Sequence, residues 1–65
     1  MVGEIITVLR NNGGWMSIRE IKDAIMCKYG TMPDYGSVYQ LLNNTELANH
    51  VQRDATSKPQ RYKIE

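Results

Sequence analysis

The sequence has very few of the residues that build metal sites, disulfides or membrane spans. Among 65 residues it has one cysteine, Cys27, one histidine, His50, and no phenylalanine. A single cysteine excludes an internal disulfide and favours a reducing, intracellular setting. One cysteine and one histidine cannot supply the four ligands of a structural zinc site. No stretch approaches the roughly 20 apolar residues of a transmembrane helix, and Glu4 interrupts the place where a signal peptide would be apolar.

Residue patterns typical of catalysis are also missing. The sequence has no glycine-rich phosphate-binding loop, and its acidic residues are dispersed along the chain. No nucleophile and orienting partner can be grouped around His50 from the sequence. We therefore expect a protein that is not an enzyme and that uses no cofactor, metal ion or small-molecule substrate.

The net charge is small, but the charged residues are unevenly distributed along the chain. Eight Lys and Arg residues against seven Asp and Glu residues give a net charge of +1. Residues 1–49 carry a net −1, whereas residues 50–65 carry a net +2. The overall balance is too weak to indicate a nucleic-acid partner by itself. The basic surplus lies at the C-terminal end.

The chain is long enough for one domain, residues 1–65, near the lower size limit for independent folding. A first helix is predicted over residues 2–12, because its apolar residues recur on one side at helical spacing. Gly13 and Gly14 should end this helix, since glycine readily adopts the left-handed cap conformation. Trp15 and Met16 are then expected to form a short extended piece, with Trp15 packed over the C-terminal hairpin.

A second helix is predicted from the sequence Ser17-Ile18-Arg19-Glu20, which is a capping box. The helix should run to about Tyr29, with Gly30 as its terminator. Tyr29 extends the apolar stripe of this helix and is expected in the core. Cys27 falls on the opposite, polar side as an exposed thiol, and the methionines, including Met26 and Met32, are expected to fill packing gaps.

A third helix is predicted over about residues 34–44, with a continuation to Leu47 left open. Its inner side carries Val38, Leu41, Leu42 and Thr45. Its outer side carries uncharged polar residues, with two tyrosines at the border. A β-hairpin follows, with strands at residues 50–54 and 61–65 and a polar loop between them. The predicted core comprises Ile5, Leu9, Ile18, Ile21, Ile25, Val38, Leu41, Leu42, Val51, Tyr62 and Ile64.

This order of elements resembles the winged helix-turn-helix family. The resemblance is carried by the segments WMSIREI (15–21), GSVYQLL (36–42), VQR (51–53) and RYKI (61–64). It implies a small α+β winged helix-turn-helix fold, with three helices and a C-terminal β-hairpin wing. Thr45 departs from the family pattern, which usually has an apolar residue there, and Ala48-Asn49-His50 lacks the glycine that often precedes the wing.

The resemblance implies sequence-specific binding of double-stranded DNA. The chain would be a small transcription regulator or the DNA-binding module of a prokaryotic, viral or plasmid protein, in the cytoplasm or on the nucleoid. The third helix would enter the major groove, and the wing, residues 50–65, would contact the backbone or minor groove. The expected base contacts are Tyr35, Ser37, Gln40, Asn43 and Asn44. The expected phosphate contacts are Ser17, Arg19, Arg53, Lys58, Arg61 and Lys63.

Three other interpretations stay open at this point. The polar side of the third helix could be ordinary solvated surface, and its lack of arginine is unusual for base recognition. The domain could be a winged-helix protein–protein interaction module without DNA binding, or an accessory protein that bends DNA through its wing. Four phosphate contacts predict a salt slope of only about −3.6. Useful affinity would then need a homodimer, a larger protein assembly or a second module.

Overall fold

The chain forms three helices and three short strands in a computed structural model that describes residues 2–64. The elements are α1 (Val2–Asn12), β1 (Met16–Ser17), α2 (Ile18–Tyr29), α3 (Tyr35–Asn44), a 3₁₀ turn (Glu46–His50), β2 (Val51–Asp54) and β3 (Arg61–Ile64). The three strands form one antiparallel sheet in the order β1-β3-β2. The predicted α+β class, with three helices and a C-terminal hairpin, is confirmed. We call β2, β3 and the connecting residues 55–60 the wing.

Helix α1 begins and ends as predicted. Ile5, Val8 and Leu9 are buried on one side of it. Gly13 follows with a φ of 70°, and its N–H donates to the carbonyl oxygen of Leu9 at 3.1 Å. The positive φ explains why a glycine stands there.

The capping box of α2 is formed in full. Glu20 N–H donates to Ser17 Oγ at 3.2 Å, and Ser17 N–H donates to Glu20 Oε1 at 2.9 Å. At the other end Gly30 has a φ of 77°, and its N–H donates to the carbonyl oxygen of Met26 at 2.9 Å. Both predicted ends of this helix are confirmed. The preceding extended piece lies one residue later than predicted, at Met16–Ser17, because these two residues pair with β3.

Helix α3 stops earlier than its longest predicted extent. Thr45 leaves the helical conformation, with φ −126° and ψ 179°. Its Oγ1 donates to the carbonyl oxygen of Leu41 at 2.6 Å and accepts from Leu47 N–H at 3.3 Å. Thr45 is therefore an exposed residue that ends α3, and its predicted inward position is wrong. The following 3₁₀ turn carries Leu47 into the core and includes His50, which was predicted to begin the strand.

Strand β3 is the central strand of the sheet. Tyr62 lies opposite Met16 on one side and Arg53 on the other. Alternation along the strand puts Tyr62 on the face that packs against the helices and puts Arg61 and Lys63 on the other face. The predicted alternation is confirmed for Arg61–Ile64, whereas Glu65, predicted as the end of this strand, lies outside the described residues.

The core contains most of the predicted residues and three that were not predicted. Val8, Met16 and Leu47 are buried with the rest, whereas the predicted core residues Leu41 and Ile64 are only partly buried. The largest fully buried side chains are Ile5, Leu9, Ile21, Ile25, Val38, Leu42 and Tyr62. Helices α1 and α2 pack this core against the sheet, and α3 packs against α2.

Several large side chains predicted as packing residues are exposed instead. Tyr29 is 41% exposed, because it is the last residue of α2 and the buried stripe of that helix ends at Ile25. Met26 and Met32 are 45% and 52% exposed, so they do not fill gaps in the core. Trp15 is 40% exposed and lies beside Lys63 of the wing. None of the helices within residues 2–64 has the length and apolarity needed to cross a membrane.

Candidate nucleic-acid interface

The outer side of α3 presents uncharged polar side chains to solvent. Ser37, Gln40 and Asn44 are all exposed, and their spacing of three and four residues puts them on one side of the helix. None of the three makes a side-chain hydrogen bond within the described part of the chain. We call these three residues the polar face of α3. Their amide and hydroxyl groups are free to donate to and accept from a ligand.

Asn43 was predicted with that group, but its side chain is already engaged. Its Nδ2 donates to the carbonyl oxygen of Tyr39 at 2.9 Å and to the hydroxyl oxygen of Tyr62 at 3.0 Å. Its Oδ1 accepts from Arg53 Nη1 at 2.6 Å. A bidentate contact between Asn43 and a base would require all of these bonds to break. The structure therefore disfavours the predicted base contact at this residue.

These bonds belong to a network that joins α3 to both strands of the wing. The hydroxyl of the fully buried Tyr62 accepts from Asn43 and donates to Gln60 Oε1 at 3.3 Å. Arg53 on β2 reaches the same asparagine. We call Asn43, Arg53, Gln60 and Tyr62 the Asn43 network. The sequence analysis did not predict this network. The requirement that a buried tyrosine hydroxyl find a partner is the one sequence signal that could have indicated it.

The four predicted wing cations lie on two different faces. Arg53 and Lys58 lie towards α3, Arg53 through its bond to Asn43 and Lys58 beside the two tyrosines of α3. Arg61 and Lys63 lie on the opposite face of β3, away from α3. The structure thus brings two of the four cations next to α3 and leaves two apart from it.

The two cations on the far face have neighbours of their own. Arg61 lies close enough to Glu20 for its positive charge to help lower the pKa of that carboxyl group, after the larger effect of the hydrogen bond from Ser17 N–H. Lys63 Nζ lies 5.8 Å from the centre of the Trp15 ring. These contacts tie the far face to Trp15, the residue before β1, and to α2 rather than to α3.

The two phosphate contacts predicted at the start of α2 differ in accessibility. Ser17 is only 5% exposed, and its hydroxyl oxygen accepts from Glu20 N–H. Its side chain is therefore not available to a phosphate. Arg19 is exposed and remains a candidate.

Lys22 is a cation near α3 that the sequence did not single out. Its Nζ lies 5.9 Å from the centre of the Tyr35 ring, at the first residue of α3. The contact joins two helices across the turn at residues 30–34, so no periodicity within one helix could have predicted it. It adds a positive charge at the N-terminal end of the candidate interface.

The wing loop, residues 55–60, follows Asp54 at the end of β2. Neighbouring residues hold the carboxylate of Asp54 in place. Asp54 Oδ1 accepts from Thr56 Oγ1 at 2.6 Å and from Thr56 N–H at 3.1 Å, and Oδ2 accepts from Ser57 Oγ at 2.8 Å. These bonds lower the pKa of Asp54, with the bond from the Thr56 hydroxyl as the largest cause. They also shape the segment that presents Lys58.

No group of three or more His, Cys, Asp or Glu side chains that could hold a metal ion occurs in residues 2–64. Comparison with known proteins gave no matching protein-family model, no similar curated protein and no similar solved structure. Membership of the winged helix-turn-helix family therefore stays a prediction.

Proposed function

We propose that this domain binds double-stranded DNA in a sequence-specific manner, with α3 in the major groove and the wing on the adjacent backbone. The observation that carries the proposal is the placement of Arg53 and Lys58 against α3, the same helix that presents the polar face. An exposed helix with free hydrogen-bonding groups can read base edges, while neighbouring cations contact phosphates. The role would be that of a small transcription regulator or of a DNA-binding module, in the cytoplasm or on the nucleoid.

The polar face of α3 supplies suitable chemistry for base recognition. Gln40 and Asn44 carry amides, which can make paired hydrogen bonds to adenine, and the Ser37 hydroxyl can contact several base edges. The Asn43 network supports this arrangement because it fixes the wing relative to α3 before DNA binds. A rigid arrangement of this kind lowers the ordering cost of association.

Affinity of a single domain should be modest. If Arg19, Lys22, Arg53 and Lys58 each contact one phosphate, counterion release gives a salt slope of about −3.6. We therefore propose that the domain acts as a homodimer or within a larger assembly. Two domains would then bind half-sites about one helical turn of DNA apart.

The test is a titration of ¹⁵N-labelled protein with a mixed-sequence duplex at low salt, followed by NMR. We expect shifts within residues 35–44 and 57–60, and at Arg19, Lys22 and Arg53, that added salt reverses. Lys58→Ala should weaken binding to all sequences equally and reduce the salt slope by about 1. The matched control is Lys28→Ala, which removes an exposed lysine from the last turn of α2. An absence of shifts at low salt would contradict the proposal.

An alternative function as a protein-interaction module has one observation in its favour. Met26, Tyr29 and Met32 are each more than 40% exposed at the end of α2 and in the turn after it. Exposed apolar side chains close together are typical of protein contacts. Concentration-dependent NMR shifts confined to residues 26–32, together with no response to DNA, would favour this alternative.

A further inference from the structure

A groove separates α3 from the wing loop. Its floor is formed by Ile18 and Tyr62, which are 4% and 0% exposed. One wall carries the rings of Tyr35 and Tyr39, and the other is formed by residues 57–60 of the wing loop. The groove has a volume of about 350 Å³. This lies at the small end of the range for ligand sites, about 300–1,000 Å³.

The two tyrosines are not needed to hold the fold together. Tyr35 is 53% exposed and Tyr39 is 41% exposed, and neither belongs to the core cluster. Their spacing of four residues aligns them on one side of α3. Together they offer aromatic faces to whatever enters the groove.

The charge at the groove favours an anion. Among its described lining residues, Lys58 is the only charged one, and no carboxylate lines the groove. Lys22 does not line the groove, but its ammonium group lies 5.9 Å from the centre of the Tyr35 ring, which does. The carboxylate of Asp54, the last residue of β2, is turned towards Thr56 and Ser57 by three hydrogen bonds.

We propose that this groove holds one unpaired nucleotide of DNA, with its base stacked on Tyr39 or Tyr35 and its phosphate beside Lys58. The inference rests on the proposed function, because both take DNA as the partner. It adds that the DNA contains an unpaired nucleotide. Bases within a duplex present only their edges in the grooves, whereas an unpaired base exposes a face that an aromatic ring can cover. The domain should therefore prefer a duplex that ends in a single-stranded overhang to the same duplex with a blunt end.

The test compares three labelled duplexes of one sequence by fluorescence anisotropy at low salt. One is blunt, one has a short thymine overhang, and one has an overhang of equal length and charge made of abasic nucleotides. Stacking of one base should make the thymine overhang bind about 5- to 150-fold more tightly than the abasic overhang. Because the two overhangs carry the same phosphates, this ratio measures the base alone.

Three variants test whether the groove is responsible. A double variant, Tyr35→Leu and Tyr39→Leu, should bring the ratio of thymine to abasic affinity close to 1. Tyr39→Phe keeps the aromatic ring and should preserve the ratio. The matched control is Tyr29→Leu, which removes a tyrosine at the end of α2 that is as exposed as Tyr39. This control should also preserve the ratio.

The possible results separate this inference from the proposed function. Equal affinity for the thymine and abasic overhangs, with blunt duplex still bound, would overturn the inference and leave the proposed function standing. A thymine preference that survives the double leucine variant would overturn the assignment to the groove. Failure to bind any of the three duplexes would overturn both proposals.

Discussion

The two parts of this small molecule are stabilised by different kinds of contact. Residues 2–30 form two helices that pack through buried aliphatic side chains. The termini of these helices are set by local signals: a capping box begins α2, and a left-handed glycine follows each helix. Residues 35–64 contain α3 and the wing, which are joined by side-chain hydrogen bonds between positions 10 to 19 residues apart. The first part therefore acts as a scaffold. The second part presents the candidate interface, and side-chain hydrogen bonds fix the position of α3 relative to the wing.

The largest expected effect comes from the scaffold. Ile21→Ala removes a fully buried side chain from the centre of α2 and should lower the free energy of unfolding by about 2–5 kcal/mol. For a domain of this size such a loss is close to the whole stability, so the variant should be largely unfolded. Circular dichroism during urea unfolding measures the change. Met26→Ala, an exposed site on the same helix, should change the free energy by no more than about 0.5 kcal/mol.

Two neighbouring polar residues of α3 should behave differently from each other. Gln40→Ala should cost about 1–3 kcal/mol of binding on a preferred DNA site and little on random DNA, with stability unchanged. Asn43→Ala should lower stability by about 1 kcal/mol, because it breaks the network with Tyr62 and Arg53. It should weaken binding to every sequence alike, since the wing loses its fixed position. Anisotropy on both DNAs, combined with urea unfolding, separates the two roles, and a sequence-selective loss in Asn43→Ala would contradict this assignment.

The same contrast explains which features the sequence could predict. The bounds of α1 and α2 were predicted because a capping box, glycine stops and apolar periodicity are local signals that involve residues close in sequence. The join between α3 and the wing was predicted less well. Thr45 was placed inward by helical spacing, but its hydroxyl ends the helix instead, and Leu47 takes the core position after a 3₁₀ turn.

At the candidate interface, exposure of the polar face of α3 followed from helical periodicity alone. The roles of Asn43 and Lys22 did not, because each contacts a residue on another element. Likewise, the separation of the wing cations onto two faces depends on the packing of the sheet against α3. Alternation along β3 indicated that Arg61 and Lys63 share a face, but the sequence could not show which face adjoins α3.

Removing the N-terminal cap of α2 should have a smaller effect on the free energy of unfolding. Ser17→Ala removes the hydroxyl that accepts from Glu20 N–H and should lower the free energy of unfolding by about 1 kcal/mol. Ser17→Thr keeps a hydroxyl acceptor and serves as the matched control. Thermal unfolding by circular dichroism measures both variants. Because the Ser17 side chain is not available to DNA, the folded Ser17→Ala domain should keep its DNA affinity, and a loss of affinity without a loss of stability would contradict that view.

The smallest expected effect is on the pH dependence of stability, to which each part contributes one carboxyl group. Hydrogen bonds lower the pKa of Glu20 in the scaffold and of Asp54 in the wing below their ordinary values of 4.5 and 3.8. A lowered pKa in the folded state stabilises the fold above the ordinary pKa, and this contribution is lost as the pH falls through the folded-state value. Stability should therefore decline between about pH 5 and pH 3.

Glu20→Gln and Asp54→Asn should each make that decline shallower in urea unfolding, because neither amide titrates. Asp23→Asn removes a carboxylate from the exposed side of α2 and serves as the control. If it flattened the acid decline as much as the other two variants, the decline would reflect overall charge rather than these two hydrogen-bonded sites.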